Sequence, residues 1–279
     1  LGRFTRPDAV VAVAALKAMA AAFEALEVGS LGEHVDQTAV LNDLRVALAR
    51  LETEKPHELN PEFHLTHLLS GLFALLVRAE RPAVERARAL AGRLLETPRF
   101  LTDARETLTR PAPIFTGTAL QVAKGGQALL REAIPAFAAS LPVAERRLIE
   151  EALPPARDAL TEFQDFLAGE LHQRSDGDFA IGREAFDFRL AFEHALGETA
   201  PGLLRYGEAL VAEVEADMVR RAEALAPGTP WRELAERLRG AHPEAGDLVA
   251  LYASEMARAL EFVVQPRRGL AQGVLEGQP

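Results

Sequence analysis

The side chains that could hold a metal or move a proton are few, and they are unevenly placed. The chain contains no cysteine, which removes disulfides, thiol nucleophiles and thiolate-bound zinc or iron–sulfur centres. A metal would need His, Asp or Glu. His64 and His67 are three residues apart, so on a helix they share a face, and His57 and Glu62 lie close in sequence. Two imidazoles at that step can hold zinc when a third ligand joins them. Without one they are two partly exposed helix histidines, and that plainer reading is preferred. His194 and Glu198 stand four apart in Phe192-Glu193-His194-Ala195-Leu196-Gly197-Glu198. No H-E-x-x-H occurs, and a helix ending near Gly197 would carry Glu198 off the face.

Other chemistries are served no better. Ser30, Ser70, Ser140, Ser175 and Ser254 are the only serines, and none sits in a G-x-S-x-G elbow. Lys124-Gly125-Gly126 has the wrong order for a phosphate-binding loop. The 41 acidic residues make carboxylate pairs common, so Glu150-Glu151 and Glu213, Glu215 and Asp217 read as solvated helix faces. Phe186, Phe188 and Phe192 read as one-sided core packing, and Trp231 as the anchor of its helix. No catalytic, cofactor-binding or metal-binding residue is therefore assigned.

Composition narrows the class. Of 279 residues, 48% are hydrophobic and 26% charged, as in an ordinary globular protein. A net charge of −10 repels nucleic-acid phosphates and anionic membranes unless cations are segregated. Only short basic pairs occur: Arg86/Arg88, Arg146-Arg147, Arg220-Arg221 and Arg267-Arg268. No apolar run reaches the length of a membrane span. Ala9 to Ala22 is broken by Lys17 and lacks the form of a signal peptide. Neither nucleic acid nor membrane is expected as a partner, and a soluble protein, cytoplasmic or exported, is expected.

The elements that must position these residues are helical. Leu203, Leu210, Val211, Val214, Met218, Ala222 and Leu225 recur at three- and four-residue steps, as do Leu65, Leu68, Leu69, Leu72, Leu75 and Leu76. Asn60-Pro61-Glu62 combines an N-cap, a first-turn proline and an acid, and Thr97-Pro98 and Thr229-Pro230 repeat the device. Helices are expected at about 8–27, 34–52, 61–79, 82–95, 98–108, 117–139, 143–171, 181–196, 201–225, 230–239 and 244–264. The 143–171 helix should kink or divide at Pro154-Pro155. Residues 178–181 could form a short extended piece. The fold class is all-α, an irregular bundle of about ten to twelve helices in a single domain over 1–279. Arg110-Pro111-Ala112-Pro113 and Ser175–Asp178 are the best internal boundaries, read as loops within one helical body, and a subdivision into 1–175 and 176–279 is the alternative.

Four ordered blocks carry a more specific signal. They are Leu48 to Pro61; Arg93-Leu94-Leu95-Glu96-Thr97-Pro98-Arg99-Phe100-Leu101 with Ala104-Arg105 and Leu108; Asp176 to Phe186 with Leu190; and Leu238 to Pro243 with Tyr252 and Ala257–Val264. In these the chain resembles the bacterial family known as domain of unknown function 885. The resemblance implies a branch of the helical zinc metallopeptidases, related in architecture to the neurolysin and angiotensin-converting-enzyme type. There the zinc helix lies in the second half of a chain roughly twice this length. The chain begins at Leu1 without Met. From the ordered blocks and the absent H-E-x-x-H, it is expected to be the N-terminal half of a longer protein, inactive alone, forming one wall of a substrate cleft. Zinc is implied only for the absent C-terminal half. Expected partners are that half, or a second copy through an apolar face, with a peptide as substrate of the full-length protein. The alternative is a self-contained, non-catalytic helical interaction module.

Overall fold

The computed structural model describes residues 2–240 and 242–264. They form twelve α-helical segments, ten of them longer than six residues, and no strand occurs among them. In chain order these are α1 (Arg6–Glu24), α2 (Leu31–Ala49), α3 (Pro56–Leu59), α4 (Pro61–Val77), α5 (Ala83–Thr107), α6 (Pro113–Ala128), α7 (Ile134–Ala139), α8 (Val143–Phe166), α9 (Arg183–Phe192), α10 (Ala200–Leu225), α11 (Trp231–Arg239) and α12 (Leu248–Val264). π-helical turns extend α2 over Arg50–Glu54, join α6 to α7 over Leu129–Ala133 and prolong α8 over Leu167–Leu171.

Two compact units divide the chain, Leu1–Ala200 and Pro201–Pro279. The expected internal boundary at 175/176 lies inside the first. In that unit α5 packs along α8, and α4 and α6 pack on this pair. Leu65, Leu68 and Leu72 of α4, Leu90 and Leu94 of α5, Ala119 and Ala123 of α6 and Ile149 and Leu160 of α8 make one buried cluster. In the second unit Ala222 is the one fully buried residue among those described. The apolar stripe of α10 is largely exposed, with Val211 61% accessible.

Local signals explain most starts. Thr5 with Asp8 and Ser30 with Glu33 form capping boxes for α1 and α2. Asn60 accepts from the Glu62 backbone N–H and places Pro61 in the first turn of α4. In neither of the other two devices does the threonine cap a helix. Pro98 lies inside α5, which runs unbroken where two helices were expected. Thr97 is buried there, and its hydroxyl donates to the Arg93 carbonyl at 3.0 Å. Pro230 itself is the N-cap of α11.

Pro154 and Pro155 do not divide α8 either. Both are exposed, as are Glu150 and Glu151, whose carbonyls lose their donors, while Ala152, Leu153 and Ala156 are buried. Water can satisfy carbonyls on that face, and the opposite face is held in the core. Phe188 and Phe192 touch at 4.7 Å between ring centroids, but they are half-buried and Phe186 is exposed. Leu190 is the buried anchor of α9. α12 starts after a 3-10 turn at Ala245–Asp247, four residues later than expected.

The two loops proposed as boundaries dock on each other. Arg110 holds Asp176 through both carboxylate oxygens, with Nε 2.8 Å from Oδ1. The Gly177 N–H donates to the Pro111 carbonyl at 3.1 Å, and the Thr116 and Ser175 hydroxyls are 2.6 Å apart. Residues 178–181 are not extended pairing partners; Asp178 instead accepts from the Ala180 N–H in an Asx turn. A Cβ on Gly177 would stand 2.5 Å from the Arg110 carbonyl oxygen, which is backbone and cannot swing away. Gly177→Ala is therefore expected to cost about 2 kcal/mol, a fall in Tm of about 4–8 °C. Gly125→Ala, where a Cβ meets nothing within 4 Å, should leave Tm unchanged or raise it. Calorimetry of the two variants checks the contrast.

Candidate functional site

α4 is two-faced. Leu65, Leu68, Leu69 and Leu72 enter the core, so Phe63, Thr66, His67 and Ser70 fall on the opposite side by helical geometry. There they line an open cleft of about 670 Å³ together with Arg50, Pro56, Asn60, Glu62, Gly71 and Arg93. Arg50 begins the π turn after α2, and Arg93 projects from α5. A Cβ at position 71 would collide with Nη1 of Arg93, so glycine lets that guanidinium lie against the α4 backbone. Arg50 and Arg93 form no ion pair with a carboxylate among the described residues.

The segment that closes one end of the cleft is the first of the four blocks. Lys55 takes left-handed backbone angles, φ 46° and ψ 54°, and its N–H donates to the Arg50 carbonyl at 2.8 Å. A non-glycine residue in that region is held there at a cost. The surroundings hold it. Arg189 of α9 clasps Glu54 through Nε at 2.9 Å and Nη2 at 2.6 Å. Arg6 reaches Glu58 at 3.3 Å, and the Thr109 N–H donates to the Glu58 carbonyl at 2.9 Å. π turns often mark functional sites, and this one delivers Arg50 to the cleft.

The histidines separate by role. His64 is 1% exposed and its Nε2 lies 2.8 Å from the His57 carbonyl, so that nitrogen carries the proton and donates. It is a core residue, contrary to the partly exposed position expected of it. His57 is buried as well, and its Nδ1 has no hydrogen-bond partner. His67 alone faces the cleft. Its ring meets Phe4 edge-on at 4.6 Å and stacks on Phe100 at 6.3 Å. Desolvation, and then the charge of Arg93, holds its pKa below the ordinary histidine range. The three-residue step thus places one histidine in the core and one in the cleft, and they do not converge on one point.

His194 and Glu198 are not helical neighbours. α9 ends at Phe192, and Ala195 takes a left-handed φ of 51°. Among the described residues no group of three or more His, Asp or Glu could hold a metal ion. The basic pairs serve local structure. Arg86 caps the Leu75 and Leu76 carbonyls at 2.8 and 2.9 Å, Arg88 pairs with Glu145, and Arg220 and Arg221 share Asp217. Arg267-Arg268 lies outside the described residues. No helix among the described residues is long and apolar enough to cross a membrane.

Fold and site together define an all-helical bundle with a basic, hydroxyl-lined surface cleft. The chain belongs to the family described as "Bacterial protein of unknown function (DUF885)", which matches residues 5–271. A solved structure, that of "a putative lipoprotein of unknown function from Shewanella oneidensis", is similar with a TM-score of 0.75 and 22% identity. The likeness covers 95% of this chain and 52% of that one, so this chain spans about half the length of that protein. No curated protein matches the chain.

The histidine pair yields a pH dependence with a definite sign. Burial, above all, drives the His64 pKa from 6.5 to about 4. The unfolded chain takes up a proton at this residue below pH 6.5 and the folded chain does not until about 4. The stability that neutral His64 contributes is thus present above pH 6.5 and is lost as the pH falls toward 4. Between pH 7.5 and 4.5 that loss is about 2.5 kcal/mol. Urea unfolding at the two pH values should show a fall smaller by about that amount in His64→Gln than in the parent.

Proposed function

We propose that this chain is the non-catalytic N-terminal part of a longer, metallopeptidase-like helical protein, and that it supplies one wall of a substrate cleft. The observation that carries the reading is the open cleft on α4, to which two of the four family blocks contribute Arg50, Pro56, Asn60 and Arg93. The half-length match to the Shewanella oneidensis structure is in keeping with it. So is the exposed apolar face of the second unit. Val211 and Val214 of α10 and Val249 and Met256 of α12 lie open, and apolar patches of this kind mark surfaces that meet another partner.

The zinc of the resembling peptidases does not fit the residues present. The His64 Nε2 is committed to a carbonyl, and among the described residues no group of three or more His, Asp or Glu stands together around His67. Zinc and the general base would come from residues outside this chain. What the chain's own residues can do is bind and orient. Arg50, Arg93, Asn60, Thr66 and Ser70 offer donors to a ligand's oxygens, and Phe63 offers an apolar wall.

Two measurements test the reading. Elemental analysis should find no stoichiometric zinc in the 279-residue chain and one zinc in a longer product of the same gene that carries H-E-x-x-H. Stoichiometric zinc, or peptide cleavage, by the 279-residue chain would overturn it. Light scattering across the micromolar range should show species larger than a monomer, because the exposed apolar stripes lack the rest of the protein. A monodisperse monomer would favour the self-contained module instead.

A further inference from the structure

A second pocket, of about 330 Å³, adjoins the cleft and shares Arg50, Pro56 and Phe63 with it. Its character is different. Phe4, Ala9, Ala12, Ala47 and Leu51 make its walls mostly apolar, although Arg3, Asp8 and His57 line it too, whereas the cleft presents guanidinium, hydroxyl and amide groups. Arg50 and Phe63 stand where the two meet. A ligand that filled both would need an anionic, oxygen-rich end next to an apolar group.

The charge pattern identifies that end. The chain carries a net −10, and most of its arginines near the cleft are satisfied by neighbours: Arg6 by Glu58, Arg189 by Glu54, Arg99 by Asp103. Arg50 and Arg93 are without a carboxylate partner among the described residues, and the cleft holds one acid, Glu62, against the two of them. His67 lines the same cleft, its pKa lowered by desolvation and then by the charge of Arg93. A guanidinium fork matches a planar carboxylate with two parallel hydrogen bonds. Gly71 fixes where the Arg93 fork lies. Phosphate would answer the charge but has nothing to place in the apolar pocket.

We infer that the joined cleft and pocket take the C-terminal residue of a peptide, with its free α-carboxylate between Arg50 and Arg93 and its apolar side chain in the pocket walled by Phe4 and Leu51. This rests on the reading of the chain as one wall of a peptide-binding cleft. It goes beyond that reading by specifying the end of the peptide and the kind of residue.

The test is a ligand-observed NMR titration of the 279-residue chain with N-acetyl-L-leucine, N-acetyl-L-leucinamide and inorganic phosphate. N-acetyl-L-leucine should bind, and the amide should bind at least about tenfold more weakly, as expected for loss of a charged hydrogen-bonded group. Arg50→Gln and Arg93→Gln should each weaken the acid by about tenfold or more and leave the amide unchanged. Gly71→Ala, which keeps both arginines but displaces one, should weaken the acid as well. Should Arg93→Gln fail to fold, Arg50→Gln at the exposed start of the π turn decides the matter alone. Equal binding of acid and amide, no binding of the acid, or unchanged binding in the arginine variants would overturn the inference. So would phosphate binding without binding of the acid, which would leave a bare anion site. Neither zinc nor cleavage is read, so failure of the peptidase reading in the longer gene product leaves this outcome standing, and the reverse holds too.

Discussion

The long contact between α5 and α8 is the constraint from which the first unit follows. Both helices turn leucine, alanine and phenylalanine inward along their length, and the area removed from water there is the main driving force available to a chain without disulfides. That contact is strong enough to carry α5 through Pro98 and α8 through Pro154-Pro155 without ending either helix. With the pair in place, α4 has one way to bury Leu65, Leu68 and Leu72. Its other face is then determined. Phe63, Thr66, His67 and Ser70 must line the outside of the bundle, and Arg93, carried by α5, must arrive beside them.

The cleft is thus a by-product of core packing, completed by a strained segment. One hydrogen bond joins the two. His64 stands in the core and donates to the carbonyl of His57, the buried residue of the segment that follows the left-handed Lys55. In a dry environment an unmet carbonyl or imidazole would cost a large part of its hydration, so this bond sets the position of residues 55–60 against α4. Arg189 and Arg6 brace the same segment from outside through Glu54 and Glu58. These cations spend their charge on structure. Arg50 and Arg93 do not, and in an acidic protein two guanidinium groups left to a cleft define its electrostatic character.

Much of the helical pattern was legible from local chemistry, because caps and periodicity are short-range. Asn60-Pro61 starts α4 as its residue types require, and the leucine steps over 65–72 name the buried face correctly. The failures share a cause, which is that packing between distant elements overrode a local signal. Thr97-Pro98 has the composition of a helix start, yet it lies inside a helix whose neighbours leave it no room to stop. His64 reads as a half-exposed helix residue because nothing nearby in sequence announces that the His57 carbonyl will meet it. The cleft was hidden for the same reason. Arg50 and Arg93 are 43 positions apart, so neither belonged to a basic run that a sequence would reveal. The two loops at Arg110–Pro113 and Ser175–Asp178 look like separate boundaries and prove to be one joint.

A crystal structure of the 279-residue chain soaked with N-acetyl-L-leucine puts the account to the most direct trial. The account predicts the ligand's carboxylate within hydrogen-bond distance of both Arg50 and Arg93, with its leucine side chain against Phe4 and Leu51. A ligand bound elsewhere on the chain, or a carboxylate that touches neither arginine while the cleft stands open to solvent in the lattice, would contradict it.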